Sequence, residues 1–172
     1  AIELLLSGVG ASVHLNDSSE HIYAFWRSIL DEPEQFCRRV SRVPLTISEW
    51  RRQREIMLSP RSHSRFDVGF STFYLNRCNR SGIVRGGAIG GLAQDGAWKI
   101  DARFNRVDLI RRIEAISAVR RKVRIRNWDA EKYIESYISK MSDDVLVYCD
   151  PPYFKKADRL YLNHYMPSDH AR

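Results

Sequence analysis

Apolar positions recur along this chain at helical spacing, then in strand-like runs, and the rhythm changes more than once. Ile2 to Leu6 reads as a helix closed by Ser7-Gly8-Val9-Gly10, glycine just past an apolar helix being a normal stop signal. Ala11–Leu15 reads as a short strand ending in Asn16-Asp17. A helix capped by Asp17 or Ser18 follows, with Ile22, Phe25, Trp26 and Ile29 on one face. Helix, strand, helix is half of a parallel α/β repeat.

The middle of the chain breaks that rhythm. Residues from about 33 to 80 read as helical, with Trp50, Ile56, Phe66, Phe70, Phe73 and Tyr74 as core positions. The glycine density from Gly82 to Gly91 excludes a regular helix and predicts a mobile loop or an irregular hairpin. Helical periodicity returns over 106–120 through Val107, Ile110, Ile113 and Ile116.

The α/β rhythm then resumes. Val123–Asn127 alternates like a strand, Trp128-Asp129 ends it, and 130–140 reads as a helix. Val145–Cys149 is a continuous apolar run of the kind buried in parallel sheets. Such a strand would deliver Asp150 to its carboxyl end, where ligands bind in open α/β sheets. The expected fold is α/β: a core in two pieces, 1–44 and 121–172, interrupted by a mostly helical insertion at 45–120.

Charge sharpens this division. The 172 residues carry a net +7, and only six of the 28 basic residues are lysines. From Arg38 to Arg126 there are 21 basic and seven acidic residues, a net of +14, so the rest of the chain sums to −7. A basic middle between acidic ends suggests a surface for a polyanion, and arginine suits bidentate contacts to phosphate and guanine edges. No apolar run is long enough to cross a membrane, and Ala1 to Leu6 lacks a basic secretory leader. Cys37, Cys78 and Cys149 fit neither a zinc site nor a disulfide framework, and the five histidines show no metal spacing. A cytoplasmic protein with reduced thiols, and no membrane or metal, is expected.

The chemistry concentrates in Asp150-Pro151-Pro152-Tyr153. Each proline holds the residue before it extended, and neither can open a helix ladder. The result is a rigid loop presenting a carboxylate, a backbone carbonyl and an aromatic ring to a planar polar ligand. An aromatic amine such as that of adenine fits. The Asp150 carboxylate and the Pro151 carbonyl can each accept one amine hydrogen, which favours a tetrahedral nitrogen with its lone pair aimed at an incoming methyl group. Asp150 then stabilises the positive charge that develops. Tyr153 can stack on the base, which must leave a duplex to arrive there. Chance yields this tetrapeptide in about one chain in a thousand of this length. The bland alternative is a rigid turn at the end of a strand.

Val145 to Tyr153 resembles the catalytic motif of amino-group DNA methyltransferases. Two further segments are similar to the Dam-type adenine methyltransferases, the D12 class. Val13-His14-Leu15-Asn16-Asp17 resembles that family's second-strand motif, whose acidic residue binds the ribose of S-adenosylmethionine. Phe73-Tyr74-Leu75-Asn76-Arg77-Cys78-Asn79-Arg80-Ser81-Gly82 resembles its target-recognition insertion.

The resemblance implies a Rossmann-like methyltransferase core that transfers methyl from S-adenosylmethionine to adenine N6 in double-stranded DNA. The sulfonium is already an activated donor, so no metal is required. Asp17, Asp129 and Asp150 are the implied cofactor contacts, with helix capping as the plain alternative for Asp17 and Asp129. Arg77, Asn79, Arg80, Arg85 and Arg103 are the implied DNA contacts, each as readily a phosphate contact as a base reader. The family's Phe-x-Gly-x-Gly loop is absent, and Gly8-Val9-Gly10 follows a helix rather than a first strand. The chain therefore reads as the middle of such an enzyme, without its cofactor loop and final strands. A non-catalytic DNA-binding remnant, or an enzyme acting on RNA or on cytosine N4, remains open on sequence grounds.

Overall fold

The computed structural model describes residues 1–141 and 144–150. Strand β1 (Val13–Asn16) and strand β2 (Val123–Arg126) form a parallel pair, with Val13 opposite Val123 and Asn16 opposite Arg126. Parallel neighbours need a crossover, and the intervening chain supplies a long helical one. Seven α-helices surround the pair among the described residues: α1 (Ile2–Leu6), α2 (Glu20–Asp31), α3 (Pro33–Arg42), α4 (Ile47–Leu58), α5 (Arg65–Cys78), α6 (Arg106–Ala118) and α7 (Ala130–Ser136).

Local chemistry sets the helix starts. Pro33 opens α3, where a missing amide hydrogen costs nothing. Thr46, Ser64 and Asn105 cap α4, α5 and α6, each side-chain oxygen accepting the amide hydrogen three residues on. Ser19, rather than the expected Asp17 or Ser18, sits at the N-cap of α2, and the Asp17 side chain accepts its amide hydrogen at 2.8 Å. Gly8, at φ +79°, closes α1 in the left-handed region.

Helix α5 is the centre of the molecule. Phe66, Phe70, Phe73 and Tyr74 are buried on it and meet Phe25, Phe36 and Phe104 ring to ring. It packs against both α2 and α4. Gly69 makes the α2 contact close: a Cβ there would lie 2.5 Å from the Ala24 carbonyl oxygen. Arg106 of α6 donates to the carbonyls of Val40 and Val43 at the end of α3. One core joins Leu5, Val13, Val123 and Ile125 of the flanking segments to Trp50, Phe70 and Ile113 of the middle.

The six aromatic and aliphatic core positions expected between Trp50 and Tyr74 are all buried. Two other expectations need correction. Val107 is exposed, because the buried stripe of α6 runs through Leu109 and Ile113. The expected strand at Val145–Cys149 forms no ladder, and Leu146 and Tyr148 are more than four-fifths exposed. An apolar run becomes a strand only beside a partner for its amides and carbonyls, and no described strand lies along this one. The glycine-rich stretch takes the hairpin alternative, with an antiparallel bridge between Asn79 and Ala88 and a hydrogen bond from Ile89 N–H to Cys78 O. The loop beyond it closes on Gln94, whose side chain bonds the backbone of Ile89, Gly91 and Ile100.

Candidate active site

The carboxyl ends of β1 and β2 lie at one edge of the sheet, because the strands are parallel and in register. Asp17 follows β1, and its amide hydrogen extends the ladder to Arg126 O. Asp129 follows β2 after Asn127 and Trp128. Asn16 ties the two loops together: its Nδ2 donates to Trp128 O at 3.0 Å, and Trp128 N–H donates to its Oδ1 at 3.1 Å. Asn127 Nδ2 donates to Asp17 O at 2.8 Å from the other side. Two acidic residues 112 positions apart are thereby held on one edge.

Their environments differ. Asp17 is half-buried, and burial pushes its carboxyl above the usual range, against the pull of the Ser19 amide. Asp129 is exposed and caps α7, accepting from the amides of Glu131 and Lys132. An aromatic stack lies beside them. His14 stacks on Tyr137 with centroids 5.4 Å apart, Tyr137 on Tyr133 at 5.3 Å, and Trp128 meets Tyr133 edge-on. Arg126 lies over both Trp128 and Tyr137. Burial, then the charges of Arg124 and Arg126, lower the His14 pKa, and its buried Nδ1 has no hydrogen-bond partner among the described residues. Sequence reasoning missed Asn16 and this stack. The available signal was strand alternation, which sets His14 and Asn16 on one face of β1.

Asp150 is exposed at the end of the unpaired 144–150 segment and is not brought to Asp17 and Asp129 by any described contact. Pro151, Pro152 and Tyr153 lie outside the described residues. Among the described residues, no group of three or more His, Cys, Asp and Glu is placed to hold a metal ion, and no helix is long and apolar enough to cross a membrane.

The expected DNA contacts separate in the structure. Asn79 is a correction. It is fully buried, its Oδ1 accepts from Trp50 Nε1 at 2.6 Å, and its Nδ2 donates to the carbonyls of Ile83 and Val84. With these bonds made inside the protein, its side chain shapes the hairpin. Arg77 is half-buried and donates to Asn76 Oδ1, which belongs to the side chain that holds Gly82 O. Burial and the neighbouring Arg103 and Arg112 push its pKa down. Arg103 is exposed but reaches back to Asn79 O at 3.4 Å. Arg80 and Arg85 are exposed on the hairpin, with no carboxylate partner among the described residues.

The family profile of the D12 class N6 adenine-specific DNA methyltransferases matches residues 6–172. The chain belongs to this family. No curated protein and no solved structure matches it. Membership makes adenine in DNA the substrate class, and the D12 profile runs through the β1 edge, the hairpin and the Asp150-Pro151-Pro152-Tyr153 segment alike.

Proposed function

We propose that this D12-class chain carries the cofactor edge, the catalytic loop and the DNA-reading insertion of an S-adenosylmethionine-dependent adenine-N6 methyltransferase with a Rossmann-like core. The observation that carries the reading is the locking of Asp17 and Asp129 to one sheet edge by Asn16. Open α/β sheets bind ligands at that edge. The insertion, 45–120, shares its core with the flanks and presents Arg80 and Arg85 on its hairpin.

S-adenosylmethionine, when bound, supplies an electrophilic methyl group on a sulfonium. Its donor and acceptor pattern suits the residues present. A ribose diol offers two hydroxyl donors, and Asp17 is a partly desolvated carboxylate with one oxygen committed to Ser19. An adenine ring suits the exposed Asp129 carboxylate and the aromatic surface at Trp128. Asp150 completes the proposed cofactor contacts from the catalytic loop.

The chain's own residues carry the proton and charge work. Asp150 and the Pro151 carbonyl accept the two hydrogens of the target amine and turn its lone pair outward. Pro152 keeps the loop rigid, and Tyr153 stacks on the extruded base. Cationic character develops on the nitrogen as its bond to the methyl group forms and the bond from methyl to sulfur breaks, and the Asp150 carboxylate stabilises that charge until the surplus amine proton is lost to solvent. Arg77, Arg80, Arg85 and Arg103 supply backbone and groove contacts to double-stranded DNA.

The test is transfer of labelled methyl to duplex DNA, followed by nucleoside analysis. N6-methyladenine supports the reading, and N4-methylcytosine or a preference for RNA overturns the substrate. Cofactor binding without any transfer would leave a remnant that has lost its chemistry.

A further inference from the structure

A cleft of about 380 Å³ opens at the opposite end of the sheet from Asp17 and Asp129. Val123, the first residue of β2, lines it. A strand rises about 3.3 Å per residue, so the cleft lies about 10 Å from Arg126 along β2. Its charged lining is Arg27 and Asp31 of α2 together with Arg120, Arg121 and Arg124.

Four guanidinium groups therefore share one carboxylate, and that carboxylate is spent. Asp31 Oδ1 pairs with Arg27 Nη2 at 2.8 Å, and its Oδ2 pairs with Arg65 Nη2 at 3.0 Å. Arg27 Nε is buried and has no hydrogen-bond partner among the described residues. Among the described residues, Arg120 donates to the carbonyl and hydroxyl of Ser117, at 3.4 and 3.3 Å, and pairs with no carboxylate. Arg121 and Arg124 have no carboxylate partner among the described residues. A buried orphan donor and crowded like charges both raise the energy of such a cleft. A tetrahedral oxyanion relieves both at once, and the planar fork of arginine matches phosphate.

We propose that this cleft is a phosphate-binding site separate from the site of methyl transfer. The phosphate can belong to a DNA backbone or to a free phosphate or nucleotide, which share this chemistry. The site stands apart from the cofactor edge, so its failure would leave the methyltransferase reading untouched.

The experiment titrates the protein with inorganic phosphate while following the Arg27 Nε–Hε signal by nuclear magnetic resonance. A saturable shift is expected. Arg121→Gln with Arg124→Gln should weaken it about tenfold or more, since each charge-assisted hydrogen bond is worth that much. Arg38→Gln with Arg42→Gln, in a different basic cleft, should leave it unchanged. Both pairs are exposed, and unchanged circular dichroism would confirm intact folds. Duplex DNA is then added to the phosphate-loaded protein: displacement identifies the DNA backbone as the source, and retention identifies free phosphate or a nucleotide. A signal that does not saturate, or that saturates equally in Arg121→Gln/Arg124→Gln, overturns the site.

Discussion

Asn16 grips the backbone of Trp128 with both ends of its amide, at 3.0 and 3.1 Å, and so sets the loop after β2 against the loop after β1. The consequence is geometric, because Asp17 and Asp129 are the residues immediately beyond each end of this grip. Asn16→Ala should cost about 1–3 kcal/mol of stability, two neutral hydrogen bonds being lost. It should also weaken S-adenosylmethionine binding more than it slows transfer at saturating cofactor. Calorimetric titration beside a kcat and KM measurement checks this, and an unchanged KM for cofactor would separate the clamp from the site.

Asp17 should make cofactor binding pH-dependent. Burial raises its carboxyl above the usual range, so its ionised form weakens the fold as pH rises through that window. The ionised form is also the better acceptor for ribose hydroxyls. Affinity should fall as pH drops through this raised pKa, and Asp17→Asn should remove that dependence. The same substitution removes the buried charge, so it should raise Tm at neutral pH while weakening binding. Thermal denaturation and binding across a pH series give both readings. A lowered Tm at neutral pH would contradict the sign.

Asp150→Ala should nearly abolish methyl transfer while sparing DNA affinity. Losing a group that acts on transition-state charge costs about 2.7–4 kcal/mol, or about 10²–10³ in kcat. Single-turnover assays with bound duplex isolate the step. Turnover within a few-fold of the unaltered protein would rule out the assigned role.

Asn79 and Arg80 are adjacent but should behave as opposites. Asn79→Ala strands the buried Trp50 Nε1 and two carbonyls, and should cost about 3 kcal/mol or more in chemical denaturation. Arg80→Ala and Arg85→Ala should leave stability unchanged and lower the salt slope of DNA binding by about one unit each. A base-reading arginine would instead cost about 1–3 kcal/mol on the preferred duplex only. If Asn79→Ala changed discrimination between duplexes without loss of stability, its structural assignment would fail.

Gly69→Ala should destabilise by about 1–3 kcal/mol, because the added methyl meets a backbone carbonyl of α2 that cannot swing aside. Urea denaturation measures it. Gly87→Ala, whose Cβ would meet nothing within 4 Å, is the contrasting substitution.

Local pattern was enough for the parts of this protein that depend on local chemistry. Helical period marked α2 and α6, strand alternation marked β2, and residue type marked the buried aromatics of α5. The Asp150-Pro151-Pro152-Tyr153 signature and the Val13–Asp17 segment pointed to the family that the profile match shows. Tertiary structure decided what each polar residue is for, since that depends on partners distant in sequence. Asn79 looks like a DNA contact beside Arg80 until Trp50, 29 residues earlier, takes its oxygen. Asn16 looks like a strand end until Trp128, 112 residues later, closes on it. Val145–Cys149 reads as a buried strand from its side chains alone, yet a strand is made by a neighbour's hydrogen bonds, and the described fold sets none beside it.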